Sequence, residues 1–163
     1  MTTRTARQLY FAFVFSRISY GIEVYGNCAN RILSKLQIIQ NKLLKLILQR
    51  NIRTPTNTLH RNLHLLKVKD IQNVRILLFV NKCLLKTCPI IFQDYYHERV
   101  LQYDFRNPGL FIHRARTTLG SQSVLIYGAK LWNNLDDVVK SHRNKQNFKK
   151  HLISHYINQY VEL

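Results

Sequence analysis

Hydrolysis, phosphoryl transfer and proton transfer need carboxylates that converge on a metal or a proton. The chain has only 8 Asp and Glu in 163 residues, and its one adjacent pair is Asp136-Asp137, in NNLDDVV. No third acid lies near it in sequence, so the pair reads as the solvated, negative start of a helix. His60 with His64, and His151 with His155, have the i, i+4 spacing that suits two metal ligands on one helical face. Neither pair carries the Glu of H-E-x-x-H or a neighbouring cysteine pair. Cys83-x4-Cys88, followed by His97, does not match a zinc-knuckle spacing. The histidines therefore read as structural or solvent-facing, and Cys83 as a small core filler. There is no Gly-rich phosphate loop and no G-x-S-x-G. No catalytic and no metal-ligating residue is assigned, and this chain alone is expected to catalyse nothing.

Positive charge is the signal that remains. Lys and Arg number 25 and the net charge is +17, which favours polyanions such as nucleic acid or an anionic membrane. The charge is uneven. Between Glu23 and Asp70 there is no carboxylate, yet the interval holds Arg31, Lys35, Lys42, Lys45, Arg50, Arg53, Arg61, Lys67 and Lys69. A second positive region comprises Arg114, Arg116, Lys130, Lys149 and Lys150. Tyr20, Tyr25 and Tyr127 are aromatic candidates for stacking on bases, with core packing as the competing role.

The elements that must position these cations are helices. In residues 31–50, Ile32, Leu33, Leu36, Ile39, Leu43, Leu44, Leu46 and Ile47 gather on one side of a helical wheel. Arg31, Lys35, Lys42 and Lys45 gather on the other, with Ile38 intruding. Without Pro or Gly, and rich in Leu, Lys and Gln, the segment predicts a helix of about five turns. Residues 8–26 are apolar nearly all round and predict a buried helix with breaks at Tyr20-Gly21 and Tyr25-Gly26. Arg53 to Asn57 is a loop around Pro55, and Thr56 or Asn57 is expected to cap a short helix with Leu59, Leu63 and Leu66. A further helix is predicted over 70–87, started by Asp70 and stopped by Pro89. Residues 97–111 read as a connector turning at Pro108-Gly109. Gly120 and Gly128 punctuate a compact unit around Trp132, and a last helix spans 144–160. The fold class is mainly α: a small helical bundle with an irregular connector around residues 97–120.

Hydrophobic content of 46% is ordinary for a globular domain. The three cysteines, Cys28, Cys83 and Cys88, do not form a disulfide framework and point to a reducing interior. No apolar run approaches the ~18 residues of a membrane span. Arg4 and Arg7 before the apolar residues 9–15 imitate a signal peptide, but Arg17 interrupts and no cleavage site follows.

Taken together, the segments resemble the C-terminal part of a non-LTR (LINE, jockey-like) retrotransposon reverse transcriptase. LYFAFVFSRISYGIEVYG, followed by Leu36-Gln37-Ile38-Ile39-Gln40-Asn41-Lys42, is similar to that family's post-palm segment, where Tyr-Gly and aromatic-Gly precede a Leu-x-x-x-Gln-x-(Lys/Arg) helix. Residues 63–70 with the following helix and Pro89-x-x-Phe92 match a second part. The most specific match is Arg116-Thr117-Thr118-x-Gly120-x-x-Ser123, then Gly128-x-x-Leu131-Trp132-Asn133-x-Leu135, then Phe148-Lys149. The resemblance implies a thumb-like helical region over 1–96 and a C-terminal helical extension over 97–163 packed on it, together gripping an RNA/DNA template–primer duplex. Palm aspartates with their Mg²⁺, and any endonuclease, are expected before residue 1, so the chain itself holds no cofactor and no small-molecule substrate. Tyr25 stands where the family often has Trp, Asp136 where Pro is frequent, and there is no C-terminal zinc knuckle, as in a decayed or truncated copy.

The expectation is thus a fragment of an RNA-directed DNA polymerase that binds nucleic acid without sequence preference, inside the cell in cytoplasm or nucleus. Two rivals stay open: a basic amphipathic membrane-surface or partner-binding module, and a transposon remnant with no function of its own. The oligomeric state is not legible.

Overall fold

The computed structural model describes residues 2–28, 30–99, 109–141 and 144–160. It is mainly helical, and among the described residues the only β pairing is an isolated bridge between Glu98 and Leu110. In order, the elements are α1 (Thr3–Leu9), a π-helical segment (Tyr10–Phe15), α2 (Ser16–Ser19), α3 (Ile22–Tyr25), α4 (Asn30–Ile47), α5 (Thr56–Asn62), α6 (Val68–Leu84), α7 (Ile90–Gln93), α8 (Thr118–Ser121), α9 (Val124–Asn133), α10 (Asp137–Ser141) and α11 (Lys145–Asn158). They form two compact units, residues 1–72 with 152–163, and residues 73–151; the boundaries fall inside α6 and α11. Among the described residues no helix is long and apolar enough to cross a membrane.

In the first unit, Ala6, Tyr10, Val14, Ile18 and Ile22 are buried, one at every fourth position. In an α-helix at 3.6 residues per turn, four residues overshoot a full turn by about 40°, so such a stripe would wind off the core. The wider π turn, with the Ser16 N–H donating to the Phe11 carbonyl, rotates the stripe back. The chain breaks at Gly21, whose φ of 65° is left-handed, and again after Tyr25. Burial is one-sided, contrary to the all-round burial expected of residues 8–26: Phe13 is 70% exposed, Tyr20 86% and Val24 81%.

Helix α4 has the expected five turns, and its core-facing residues are Leu33, Gln40 and Leu44. Ile32, Ile39 and Leu46, expected on its buried side, face solvent instead. The buried arc is centred about a third of a turn from them and takes in the glutamines. At its C-terminus Gln49 adopts φ 51° while the Arg50 N–H reaches back to the Lys45 carbonyl, closing the last turn as a glycine usually does. Helix α5 begins at Thr56 with Pro55 in the cap position, so neither Thr56 nor Asn57 caps it from outside. Its Leu59 and His60, the following Leu63, Leu65 and Leu66, and Leu152, Ile157 and Tyr160 are buried in the same unit.

The second unit is built on the later turns of α6. Ile76, Val80, Cys83, Cys88, Tyr96, Leu110 and Ala129 form its core, with Phe79, Phe92 and Trp132 against them. A Cβ at Gly128 would lie 2.6 Å from the Tyr96 hydroxyl and 3.0 Å from Val80 Cγ2, so only glycine lets α9 approach this closely. α6 ends at Leu84, before Pro89, with Lys86 in the left-handed region. The end of the expected connector is gripped at Leu110, whose carbonyl also accepts from the Arg99 guanidinium at 3.2 Å. Asn133 Oδ1 accepts from the Leu110 N–H at 2.7 Å and its Nδ2 donates to the Leu110 carbonyl at 2.9 Å. α8 occupies the connector's last residues; its expected turn at Pro108, with residues 100–108, lies outside the described residues.

Candidate nucleic-acid interface

In the first unit, Arg31, Lys35, Lys42, Arg50, Arg53, Arg61 and Lys69 are exposed, and Lys45 and Lys67 are half-buried. Arg31, Lys35, Lys42 and Lys45 line the solvent side of α4, with Ile38, 53% exposed, among them. Among the described residues, Arg31, Lys35, Lys42, Arg50, Arg53 and Arg61 form no ion pair. Lys45 is committed in part: its ammonium donates to the Ile52 carbonyl across the loop that carries Arg50 and Arg53. The ridge is backed by a buried polar network. Gln40, fully buried, donates to the Tyr10 hydroxyl at 2.6 Å and to the Leu66 carbonyl at 2.9 Å. Gln37 donates to Gln40 at 2.7 Å and to Asn41 at 2.8 Å, and accepts from the Val68 N–H at 2.8 Å. Burial pushes the Tyr10 phenol up to about 12, with Gln40 working against the shift.

Sequence reading does not anticipate the groove of about 500 Å³ between the starts of α4 and α6 and the end of α11, lined by Ser34, Gln37, Lys67, Lys69, Asp70 and Tyr160 among others. The Tyr160 hydroxyl donates to Asp70 at 2.5 Å and accepts from the Lys67 N–H at 3.0 Å. The Lys67 ammonium lies 4.5 Å from the centre of the Tyr160 ring, a cation–π contact. Burial raises the Asp70 carboxyl, while its bond to Tyr160 and the nearby lysines pull it down. Lys69 donates to Gln72 at 2.9 Å, and partial loss of water lowers its pKa. The only hint in the sequence is the closeness of Lys67, Lys69 and Asp70; the contribution of residue 160 is a matter of tertiary fold.

In the second unit, Arg114 and Arg116 lie before α8, Lys130 on α9, and Lys149 and Lys150 on α11; all five are exposed. Asp137 starts α10 and pairs with Lys140 at 3.0 Å, in keeping with a solvated helix start. Tyr25 donates to the Ile18 carbonyl and Tyr127 donates to Asn73 at 2.9 Å, so both serve the fold; Tyr20 alone of the three expected stackers is exposed.

The His60–His64 pair does not share one helical face. His60 is fully buried, with Nδ1 3.2 Å from the Leu65 carbonyl oxygen and Nε2 3.1 Å from Asn41 Oδ1. Burial lowers its pKa to about 4 against the Leu65 hydrogen bond, and Lys67 adds to the depression. His64 lies past the end of α5 with φ 49°, off the helical face that His60 occupies. Among the described residues no three His, Cys, Asp or Glu side chains gather as a metal site. Cys83 and Cys88 are both buried, and burial, then Cys88 beside it, pushes the Cys83 thiol up to about 12; such a thiol is inert.

No protein-family model, no curated protein and no solved structure matches the chain.

Proposed function

We propose that the chain is the thumb and post-palm part of a non-LTR retrotransposon reverse transcriptase, and that it binds an RNA/DNA template–primer duplex without reading its sequence. The observation that carries the binding is the acid-free run from Arg31 to Lys69, most of whose cations face solvent, on α4, α5, the loop between them and the start of α6. A row of lysines and arginines tracks phosphates and fixes register without touching base edges. The parentage is supported by the order and spacing of the Tyr-Gly, Leu-x-x-x-Gln and Trp-Asn motifs along the chain. In this reading the catalytic carboxylates and their Mg²⁺ belong to the palm, the role of this chain is grip, and its place is the cytoplasm or nucleus.

The test is the salt dependence of duplex binding. The log–log slope should steepen by about 0.9 for each phosphate neutralised on duplex DNA. Reversing charge at Lys35→Glu and Lys42→Glu together should flatten it by about 1.8 and weaken binding on the order of 100-fold at 0.1 M salt. Lys45 is left unchanged because of its bond to Ile52. An unaltered slope removes this face from the interface.

One observation favours a second reading. Ile32, Ile38, Ile39 and Leu46 are each more than half exposed on α4, and duplex phosphates have no use for aliphatic surface. A basic helix with such a flank suits an anionic bilayer or an amphipathic partner helix. Co-sedimentation with anionic vesicles, competed by duplex RNA, separates the two: pelleting that duplex does not reverse supports this second reading.

A further inference from the structure

We propose that the first unit also carries a stacking platform for unpaired bases, formed by Phe13 and Tyr20 with Arg17 between them. This rests on the nucleic-acid reading above and adds a single-stranded segment to the duplex it grips. Phe13, Arg17 and Tyr20 are spaced i, i+4, i+7, which puts them on one side of the first helical rod. Phe13 is 70% exposed and Tyr20 86%, and Arg17 is exposed as well. The other rings of this segment are engaged: Tyr10, Phe11 and Phe15 meet one another at 5.1–6.4 Å, and the Arg7 guanidinium lies over Phe11. Among the described residues, Phe13 and Tyr20 meet no other ring and Arg17 forms no ion pair.

The backbone makes this arrangement. The π segment keeps Tyr10 and Val14 on the core side and turns Phe13 outward. Gly21 then ends the rod directly after Tyr20. Along the axis, Phe13 and Tyr20 are about 10 Å apart at 1.5 Å per residue, which is about three nucleotide steps at 3.4 Å. Between them the exposed residues are Ser16 and Arg17. The small Ser16 leaves the space between the rings open, and the guanidinium supplies charge for phosphate or a plane for a base. A bilayer-inserting face sets aliphatic mass between its aromatics; here an exposed serine and arginine stand between them. The ligand that fits separated flat rings bracketing a cation is a flexible polyanion with flat bases, that is, single-stranded RNA or DNA.

The experiment uses the full chain and two fluorescein-labelled probes, a uridylate dodecamer and a blunt 12-base-pair duplex, titrated by anisotropy over a salt series. Phe13→Ala with Tyr20→Ala should weaken single-strand binding about tenfold or more, with its salt slope unchanged because the lost contacts are uncharged. Duplex binding should stay within about twofold of the parent chain. Phe13→Trp with Tyr20→Trp should bind the single strand at least as tightly as the parent. Far-UV circular dichroism should be unaltered in both variants, since both positions face solvent. If the single strand is indifferent to loss of the rings while the duplex still binds with its Lys35- and Lys42-dependent slope, this proposal fails and the duplex reading stands. If neither probe binds, the duplex reading fails and takes this one with it. Equal losses for both probes, rings that are needed for pelleting with phosphatidylserine vesicles, or rings that are needed for a concentration-dependent dimer would each overturn the platform.

Discussion

The two stretches that carry most of the reading behave in opposite ways. Residues 31–69 hold only a loose motif, yet most of their cations face solvent. Residues 116–148 hold the most specific motif, yet nearly every defining residue there serves the fold. The Thr117 hydroxyl caps the Gly120 N–H at 3.1 Å and Ser123 caps α9. Gly128 permits a close helix approach, Trp132 lies 5.8 Å from Phe148, and Asn133 pins Leu110. Sequence specificity marks places where only one side chain fits, and those are packing and capping sites. Binding by charge needs only density and sign, so it leaves a composition rather than a motif.

The largest expected effect challenges the motif side of this contrast. Phe148 is fully buried against Trp132, and Phe148→Ala should cost about 3–5 kcal/mol of stability in urea unfolding. Duplex affinity per folded molecule should not change. A variant that stays fully stable but loses duplex binding would put the motif into the interface and undo the comparison.

Next comes a pH effect under the cationic stretch. His60 is held at about 4 in the folded chain, below its ordinary value near 6.5. The folded state therefore favours the neutral ring, and its contribution is complete above about 6.5. It is lost as pH falls toward 4, by about 3 kcal/mol. Asp70, raised by burial, acts with the opposite sign: its contribution is full below its ordinary value and fades as pH rises through its raised one. Urea midpoints should therefore fall between pH 7 and 4.5, and the fall should shrink in His60→Gln; an equal fall in that variant would clear His60.

The smallest of these effects tests the pin. Asn133→Ala leaves the N–H of buried Leu110 without its side-chain partner and its carbonyl with the Arg99 guanidinium alone, and should cost about 1–3 kcal/mol. Faster hydrogen exchange at the Leu110 amide is the direct readout; unchanged exchange would mean that the Glu98–Leu110 bridge suffices alone.

Much of the helical layout is legible in the sequence, because periodicity reports it directly. The stretch 31–50 folds as Asn30–Ile47, 70–87 as Val68–Leu84, and 144–160 as Lys145–Asn158. Hydrophobicity states what a residue gains by burial, not whether a partner is present. Hence Phe13, Tyr20, Ile32 and Leu46 are exposed against expectation. The reverse holds for Gln40 and His60, polar residues buried because Tyr10, Leu66, Asn41 and Leu65 supply partners. One signal was available: Gln37 and Gln40 fall on the same wheel arc as Leu33 and Leu44. The groove at Lys67 and Tyr160 needed the 93-residue closure between them, which no local pattern encodes.

The bond from Lys45 to the Ile52 carbonyl closes a short clasp around Arg50, with Arg53 directly after it. Acetylation of that ammonium would remove its charge and leave one N–H in place of three, weakening the strap beside Arg50 and Arg53. A single modified side chain there would act on its own charge and on the seating of its arginine neighbours, making the far end of α4 a place where affinity for any polyanion can be turned down in one step.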